Sequence, residues 1–451
     1  MKTLFVNAPY SLEIKNWMLG SFYVLAREHQ EVRLVVFVER VKLEEHRKKF
    51  GHDRCIIEPV PDVADSQRSK LKELFRIIAW SSIPTETILV RQKYTRLDGG
   101  SLLALTLKRF VWVLGHFRIW REFLRAVEYH FFHDDHIWRE YFDRYKPDAV
   151  FATGMMQEED ITLAKHARRR SISVLGMTRS WDNLTSKLFL RIKPDLLLVQ
   201  NRHMIKEAIR YGDMPLAKVR AVGFPQWDSY LDSQSHASKE ETARIIGADP
   251  KKRWILVFTG GLSTAAFRME GYGDHIDMIG RAMEKGEIEN SALIAKFHPL
   301  DELPALKERD GVTILHFGKG FNFSGDDIKL MLNLLRWSDV VVVFGSTMSM
   351  EAVIFDKPVV LAAFDGYKEQ PYQKNLAVAL SHTTHYVELQ EIGGMWRVGN
   401  EKELIDAIQR YLKNPQLHAG GRKKMREEFI EPLDGDVAKR VLEYLLALAK
   451  S

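Results

Sequence analysis

The sequence predicts an α/β protein of two consecutive doubly wound units, each a mostly parallel sheet between helices. Three observations carry that expectation. Short apolar, β-branched runs alternate with helical patterns along the whole chain, as strands covered on both faces require. A polar stretch, "DSQSHASKEE", interrupts the alternation near the middle, and the pattern then starts afresh. At 451 residues and 45% apolar, the chain exceeds the roughly 250 to 300 residues at which one core stops growing.

The first unit opens with "TLFVNA" (3 to 8). Its preceding residues carry one lysine, and Asn7 and Pro9 break the apolar run, so this end reads as a strand and not as a secretory leader. Further strands are expected at "VRLVVFV" (32 to 38), "DAVFATG" (148 to 154), "SISVLGM" (171 to 177) and "DLLLVQ" (195 to 200). Between them, "EEDITLAKHARRR" (158 to 170) begins acidic and ends basic, which suits a helix dipole at both ends. Gly223, Phe224 and Pro225 lead into the polar boundary. The second unit repeats the alternation with "RWILVFTGG" (253 to 261), "SALIAKFHP" (291 to 299), "VTILHFG" (312 to 318), "DVVVVFGS" (339 to 346) and "KPVVLAAF" (357 to 364). The expected domains are therefore 1 to 228, with a helical insertion near 66 to 146, and 229 to 432, followed by a C-terminal helix at 433 to 451. The two sheets are expected to face each other across a central cleft.

The net charge of +6 is local. Between Ser66 and Lys146 there are 15 Lys/Arg against nine Asp/Glu, which accounts for the whole excess. Inside this segment, Leu107 to Tyr145 is helical in spacing and sets Phe, Trp and Tyr beside Arg. Cations next to large aromatics suit an anionic membrane surface, and a core helix with solvated arginines is the alternative. No nucleic-acid motif accompanies the basic residues, so nucleic acid is not an expected partner. The one cysteine, Cys55, cannot form an intramolecular disulfide, and no apolar run approaches the roughly 20 residues needed to cross a bilayer. A cytoplasmic protein, peripheral at the inner face of the membrane, is the expectation.

In open α/β sheets ligands bind beyond the carboxyl ends of the strands, so the informative residues follow the apolar runs. After "WILVF" come Thr259, Gly260 and Gly261, where paired glycines allow close backbone approach to a phosphate or simply make a turn. After "SALIA" come Lys296, His298 and Pro299. The imidazole is placed to donate to a phosphate oxygen or to cap the strand, Pro299 fixes its direction, and Lys296 projects to the same side. After "DVVVVF" come Gly345, Ser346 and Thr347, an anion site or an ordinary helix cap, with Glu351 one turn on where a carboxylate suits the hydroxyls of a ribose.

In that order and spacing, "FTGG", "KFHP" and "WSDVVVVFGSTMSMEAVIFDKPVVL" resemble the donor-binding domain of GT-B glycosyltransferases. The resemblance is to the bacterial polysaccharide-building enzymes with an HP motif and a following Ser/Thr motif, polysialyl- and Kdo-transferases among them. CDP-glycerol glycerophosphotransferases are similar here too. It covers about 195 to 440, including "KPDLLLVQNRHMIKEAIRYGDMPLAKVRAVGFPQWDSY", while 1 to 147 is matched by fold expectation alone. It implies that His298 binds the donor phosphates, that Gly345, Ser346 and Thr347 bind the same group, that Glu351 holds the ribose, and that no metal or other cofactor is required.

A glycosyltransferase must also take a proton from its acceptor, and the first unit has to supply the base. Two loops qualify. Glu158 and Glu159 follow "AVFATG", where helix capping is the alternative role. Arg179, Trp181, Asp182, Asn183 and Lys187 follow "SVLGM", with Trp181 as a sugar-stacking face, Asp182 as a candidate base and the others as acceptor contacts. The leading expectation is transfer of a sugar from a nucleotide-activated donor to a glycan or lipid-linked acceptor in cell-surface polysaccharide biosynthesis. The alternatives are a CDP-polyol phosphotransferase, a UDP-sugar 2-epimerase-like enzyme, and a non-catalytic nucleotide-sugar-binding assembly protein.

Overall fold

The computed structural model describes residues 1–63, 69–260, 271–301, 303, 307–318 and 324–449. The chain divides into two compact units. Met1–Leu89, Ser101–Leu231 and Glu431–Ser451 form the first, and Val90–Gly100 with Asp232–Ile430 form the second. The C-terminal helix thus belongs to the first unit.

The first unit is built on β1 (Lys2–Asn7), β2 (Val32–Val38), β3 (Cys55–Pro59), β4 (Ala149–Ala152), β5 (Ser173–Met177), β6 (Leu196–Val199) and β7 (Val219–Ala221), in the order β3-β2-β1-β4-β5-β6-β7. All pairs are parallel. Both faces are covered because side chains alternate along each strand. Leu4 and Val6 enter one apolar cluster, while Phe5 enters the other. The second unit repeats the plan with β8 (Arg253–Phe258), β9 (Ser291–Lys296), β10 (Val312–Leu315), β11 (Val340–Val343), β12 (Val359–Ala362) and β13 (Trp396–Val398), ordered β10-β9-β8-β11-β12-β13 and parallel throughout.

Three strands had no clear apolar run: β3, β7 and β13. Each is an edge strand: Arg220 and Arg397 are exposed there, and the buried Glu58 is met by Arg47 and Arg144. The strand order reverses between β1 and β4, and again between β8 and β11. At those two points the connections leave in opposite directions and open a crevice at the carboxyl ends.

Helices α1 (Lys70–Ser81), α2 (Leu102–Gly115) and α3 (Arg118–Phe131) lie between β3 and β4. They enclose a small core of their own, with Phe75, Ala79, Ile83 and Leu124 at its centre and Trp112 and Trp120 packed against it. The indole N–H of Trp112 donates to the carbonyl of Thr85 and that of Trp120 to the hydroxyl of Ser82. The core-helix alternative with solvated arginines does not describe α3. Arg121 and Arg125 are buried beside Leu124 and Glu128, both arginines paired with Asp213, and Ile119, Phe123 and Phe131 are exposed.

The insertion is rooted on α4 (Glu158–Arg169) by a buried ion cluster. Lys165 meets Glu128 at 2.9 Å and also Asp134; Lys72 meets Asp134 and, at 3.1 Å, Glu158. Arg191 holds Glu158 through both guanidinium nitrogens, at 2.6 and 2.9 Å, and meets Glu128 at 2.9 Å. Three cations therefore face three carboxylates. Two further helices matter below: α5 (Met348–Ile354) in the second unit, and α6 (Val437–Leu448), whose Val437, Val441 and Leu445 pack beside Leu4 and Val6.

Removing one partner of such a cluster leaves an uncompensated buried charge. Lys165→Met should cost about 3–5 kcal/mol in denaturant unfolding. Glu140→Gln, at the exposed pair with Arg144, should stay within about 0.5 kcal/mol.

Candidate functional site

In the second unit the carboxyl ends of β8, β9 and β11 carry the expected donor residues. Thr259 follows β8, and its hydroxyl does two jobs: it accepts the backbone N–H of His298 at 2.8 Å and donates to the Asp301 carboxylate at 2.8 Å. The loop after β9 is thereby tied to β8. Gly260 lies beside Tyr272, whose hydroxyl a Cβ would meet at 2.7 Å, so the close approach requires glycine. Gly261 lies outside the described residues.

His298 is half-buried, and burial, more than its neighbours' charges, lowers its pKa from 6.5. Its Nδ1 accepts the N–H of Leu300 at 3.3 Å, which leaves the proton of the neutral ring on Nε2 as a donor. Pro299 follows and is buried. Lys296 is buried; burial lowers its pKa to about 8, against the opposing charges of Asp301, Asp327 and Glu351. Glu351 is a buried residue of α5, the helix that follows β11, so its charge acts on Lys296 from beyond the end of β8. Gly345 has φ +84°, and a Cβ there would sit 2.5 Å from Leu380. Its carbonyl accepts from the Tyr386 hydroxyl. Ser346 and Thr347 are half-buried, and Ser346 Oγ accepts the N–H of Met348 at 3.3 Å.

In the first unit a group of carboxylates gathers where β1 and β4 part. Asp160 is fully enclosed, accepting from Asn7 Nδ2 at 2.8 Å and from the N–H of Gly154 at 3.1 Å. Its burial, with the charges of Glu13 and Glu159, raises its pKa to about 7. Burial also raises Glu159, which accepts from the Tyr10 hydroxyl at 3.3 Å, and Glu13, whose carboxylate meets Arg179 Nε at 3.0 Å. A narrow pocket beside them is lined by Glu13, Thr153, Thr178, Arg179 and Gln200. Carboxylates with raised pKa values beside a guanidinium are suited to general base work near neutral pH.

The expected residues divide between roles. Glu158 sits in the ion cluster: burial would raise it, yet Arg191 and Lys72 outweigh burial and hold it at about 2, too acidic for a base at neutral pH. Trp181 is 5% exposed, so the ring expected as a stacking face is packed inside the domain. Asn183 shapes the loop, accepting the N–H groups of Arg179 and Ser180 at 2.9 and 2.8 Å. Asp182 and Lys187 pair at 2.5 Å. Asn7, Tyr10 and Glu13 were not singled out from the sequence. Their signal was available: they follow the first strand, at the point where the chain must reverse its winding.

Two outcomes follow. The folded-state pKa of Asp160 lies above the ordinary 3.8, so the native state binds this proton more tightly than the unfolded chain. Its stabilisation is complete below pH 4 and is lost as pH rises through about 7. The wild-type unfolding free energy, relative to Asp160→Asn, should fall by roughly 2–4 kcal/mol across that window in denaturant titrations. His298→Ala should weaken nucleotide binding in calorimetry and leave the melting curve nearly unchanged; a large loss of stability with unaltered binding would make the residue structural.

Residues 166–447 match the family described as CDP-Glycerol:Poly(glycerophosphate) glycerophosphotransferase. No curated protein sequence matches the chain. Among solved structures, the chain is similar to S. aureus MnaA with UDP, at 14% identity and a TM-score of 0.54, covering 100% of this chain and 98% of that one. It is similar to UDP-GlcNAc 2-epimerase from Neisseria meningitidis bound to UDP-GlcNAc, at 13% identity and 0.53, covering 99% and 100%. The wall teichoic acid polymerase TagF, soaked with CDPG, aligns at 10% identity and 0.53, covering 100% and 89%. At such identities the structures speak for the fold, which is GT-B: two parallel-sheet α/β domains of seven and six strands. With well over half its length matched, the chain belongs to the CDP-glycerol:poly(glycerophosphate) glycerophosphotransferase family and is a transferase of the GT-B fold.

Proposed function

We propose that the protein is a glycosyltransferase that moves a sugar from a nucleotide-activated donor to a glycan or lipid-linked acceptor in the building of a cell-surface polysaccharide. The observation that carries this reading is the placement of Lys296 and His298 at the carboxyl end of β9, with the charge of Glu351 on α5 acting on Lys296 and the Gly345 turn leading from β11 into α5. The Lys296 ammonium and the Nε2–H of His298 suit the donor's diphosphate, the Gly345 to Thr347 backbone allows close approach, and Glu351 suits the ribose hydroxyls. A cation that is part of the chain can stabilise the departing nucleotide, which supports metal-independent transfer. The first unit supplies the base for the acceptor hydroxyl, with Glu13 and Glu159 as the carboxylates for that task.

The family's own description favours a second reading, transfer of glycerol phosphate from CDP-glycerol.

Incubation of surface-polysaccharide acceptors with radiolabelled sugar nucleotides and, separately, radiolabelled CDP-glycerol tests the choice. Label should enter polymer from a sugar nucleotide, with chelator present, and Glu13→Gln or Glu159→Gln should lower kcat by about 10²–10⁴ while leaving nucleotide affinity unchanged. Incorporation from CDP-glycerol alone would replace the first reading by the second. Conversion of a nucleotide sugar without acceptor would indicate an epimerase.

A further inference from the structure

The amino ends of the strands in the first unit hold a cavity of their own. It measures about 490 Å³, within the roughly 300–1,000 Å³ of small-molecule sites. Three strands begin at it: Val174 is the second residue of β5, Asp195 immediately precedes β6, and Lys218 immediately precedes β7. Arg118, Glu122, Arg125 and Tyr129 recur at spacings of four, three and four residues, so one face of α3 forms a wall along the length of the helix. The narrow pocket beside the carboxylates is elsewhere. Its Thr178 and Arg179 follow the far end of β5, and at about 3.3 Å per residue that strand sets the two pockets roughly 15 Å apart.

The lining is cationic. Arg118, Arg125, Arg168, Arg191, Lys193 and Lys218 face the cavity against three carboxylates, those of Glu122, Asp195 and Asp213. Each carboxylate is already engaged. Asp213 meets Arg125 at 2.8 Å, Glu122 meets Arg125 at 3.2 Å and also Lys193, and Asp195 accepts the N–H of Val174 at 2.9 Å. Arg191 is held by Glu128 and Glu158. Arg168 and Lys218 differ from these: both are exposed, and neither has an ion pair among the described residues. The Arg168 guanidinium lies over the Tyr129 ring, 5.4 Å from its centroid, and so is kept at the cavity wall.

Cations gathered in this excess repel one another until an anion joins them. A ligand that answers the charge must bring at least two negative charges in a small volume. Phosphate oxygens do so, because they match the guanidinium fork and accept from an ammonium as well. Ala126, Ile192 and Met214 offer apolar surface to the remainder of such a molecule.

We infer that this cavity binds a small soluble molecule carrying a diphosphate or two phosphate groups, at a site distinct from the carboxyl-end pocket of the same sheet. The inference is argued from this cavity alone and stands apart from the choice of transferred group, so its failure would leave the transferase reading intact.

Inorganic diphosphate is titrated in a calorimeter into the full chain carrying His298→Ala, which sets the candidate donor site aside. Saturable binding that weakens with salt is expected. Adding Arg168→Gln and Lys218→Gln to that variant should weaken it about tenfold or more, since each removes a charge-assisted contact. The melting curve should not move, because both side chains are exposed. Absence of diphosphate binding to the His298→Ala chain, or equal binding with and without the two added changes, overturns the proposal. So does tighter binding of water-soluble dihexanoyl phosphatidic acid than of diphosphate, which would make the cavity a lipid-headgroup site.

Discussion

The buried cluster of Lys72, Lys165 and Arg191 with Glu128, Asp134 and Glu158 is the constraint on which the first unit depends. Each ion in it would be costly alone, and each is tolerable because the others are held in place. It joins residues from α1, α3 and α4, and so fixes the insertion against the helix that leaves the switch point. Its effect on chemistry is indirect and specific. Glu158 is pinned on one side of the first turn of α4, which leaves Glu159 and Asp160 to turn toward Tyr10 and Asn7. Carboxylates two residues apart acquire opposite pKa shifts, Glu158 well down and Asp160 well up: burial raises both, but Arg191 and Lys72 outweigh it at Glu158, whereas the charges of Glu13 and Glu159 add to it at Asp160.

The second unit is organised with less charge. A single hydroxyl, that of Thr259, sets both the backbone of His298 and the carboxylate of Asp301. The direction of the imidazole is thus settled by hydrogen bonds made at its own backbone and at Nδ1, which puts the proton of the neutral ring on Nε2. Lys296 stays mostly cationic at neutral pH despite its burial, since Asp301, Asp327 and Glu351 oppose the desolvation. The whole edge is preorganised around one cation and one oriented imidazole, which are the elements a diphosphate calls for.

Much of this was legible in the residues. Of the ten apolar runs, nine corresponded to central strands because a strand buried on both faces has little choice of side chain, and the tenth to the edge strand β10. The edge strands β3, β7 and β13 were missed for the converse reason. The residues at the carboxyl ends of β8, β9 and β11 were readable because strand ends, glycines and hydroxyls coincide there in sequence. Of the acidic group in the first unit Glu159 was an expected base, but Glu13 was not, because Glu13 and Asp160 are far apart in sequence and are brought near each other by the β1 to β4 pairing. Helix α3 defeated periodicity most directly: apolar spacing reports which residues share a face, and which face turns inward was decided by Asp213 and the ion cluster.

Helix α6 follows the entire second unit along the chain, yet Val437, Val441 and Leu445 complete the core around β1, which precedes that unit. Lys2 reaches the carbonyl of Ala449 at 2.7 Å. During translation the N-terminal sheet must therefore wait, on the order of ten seconds or more at usual elongation rates, for the entire second unit to emerge before its own apolar face is closed. The half that is born first is finished last, and the nascent chain carries an uncovered sheet face through most of its synthesis.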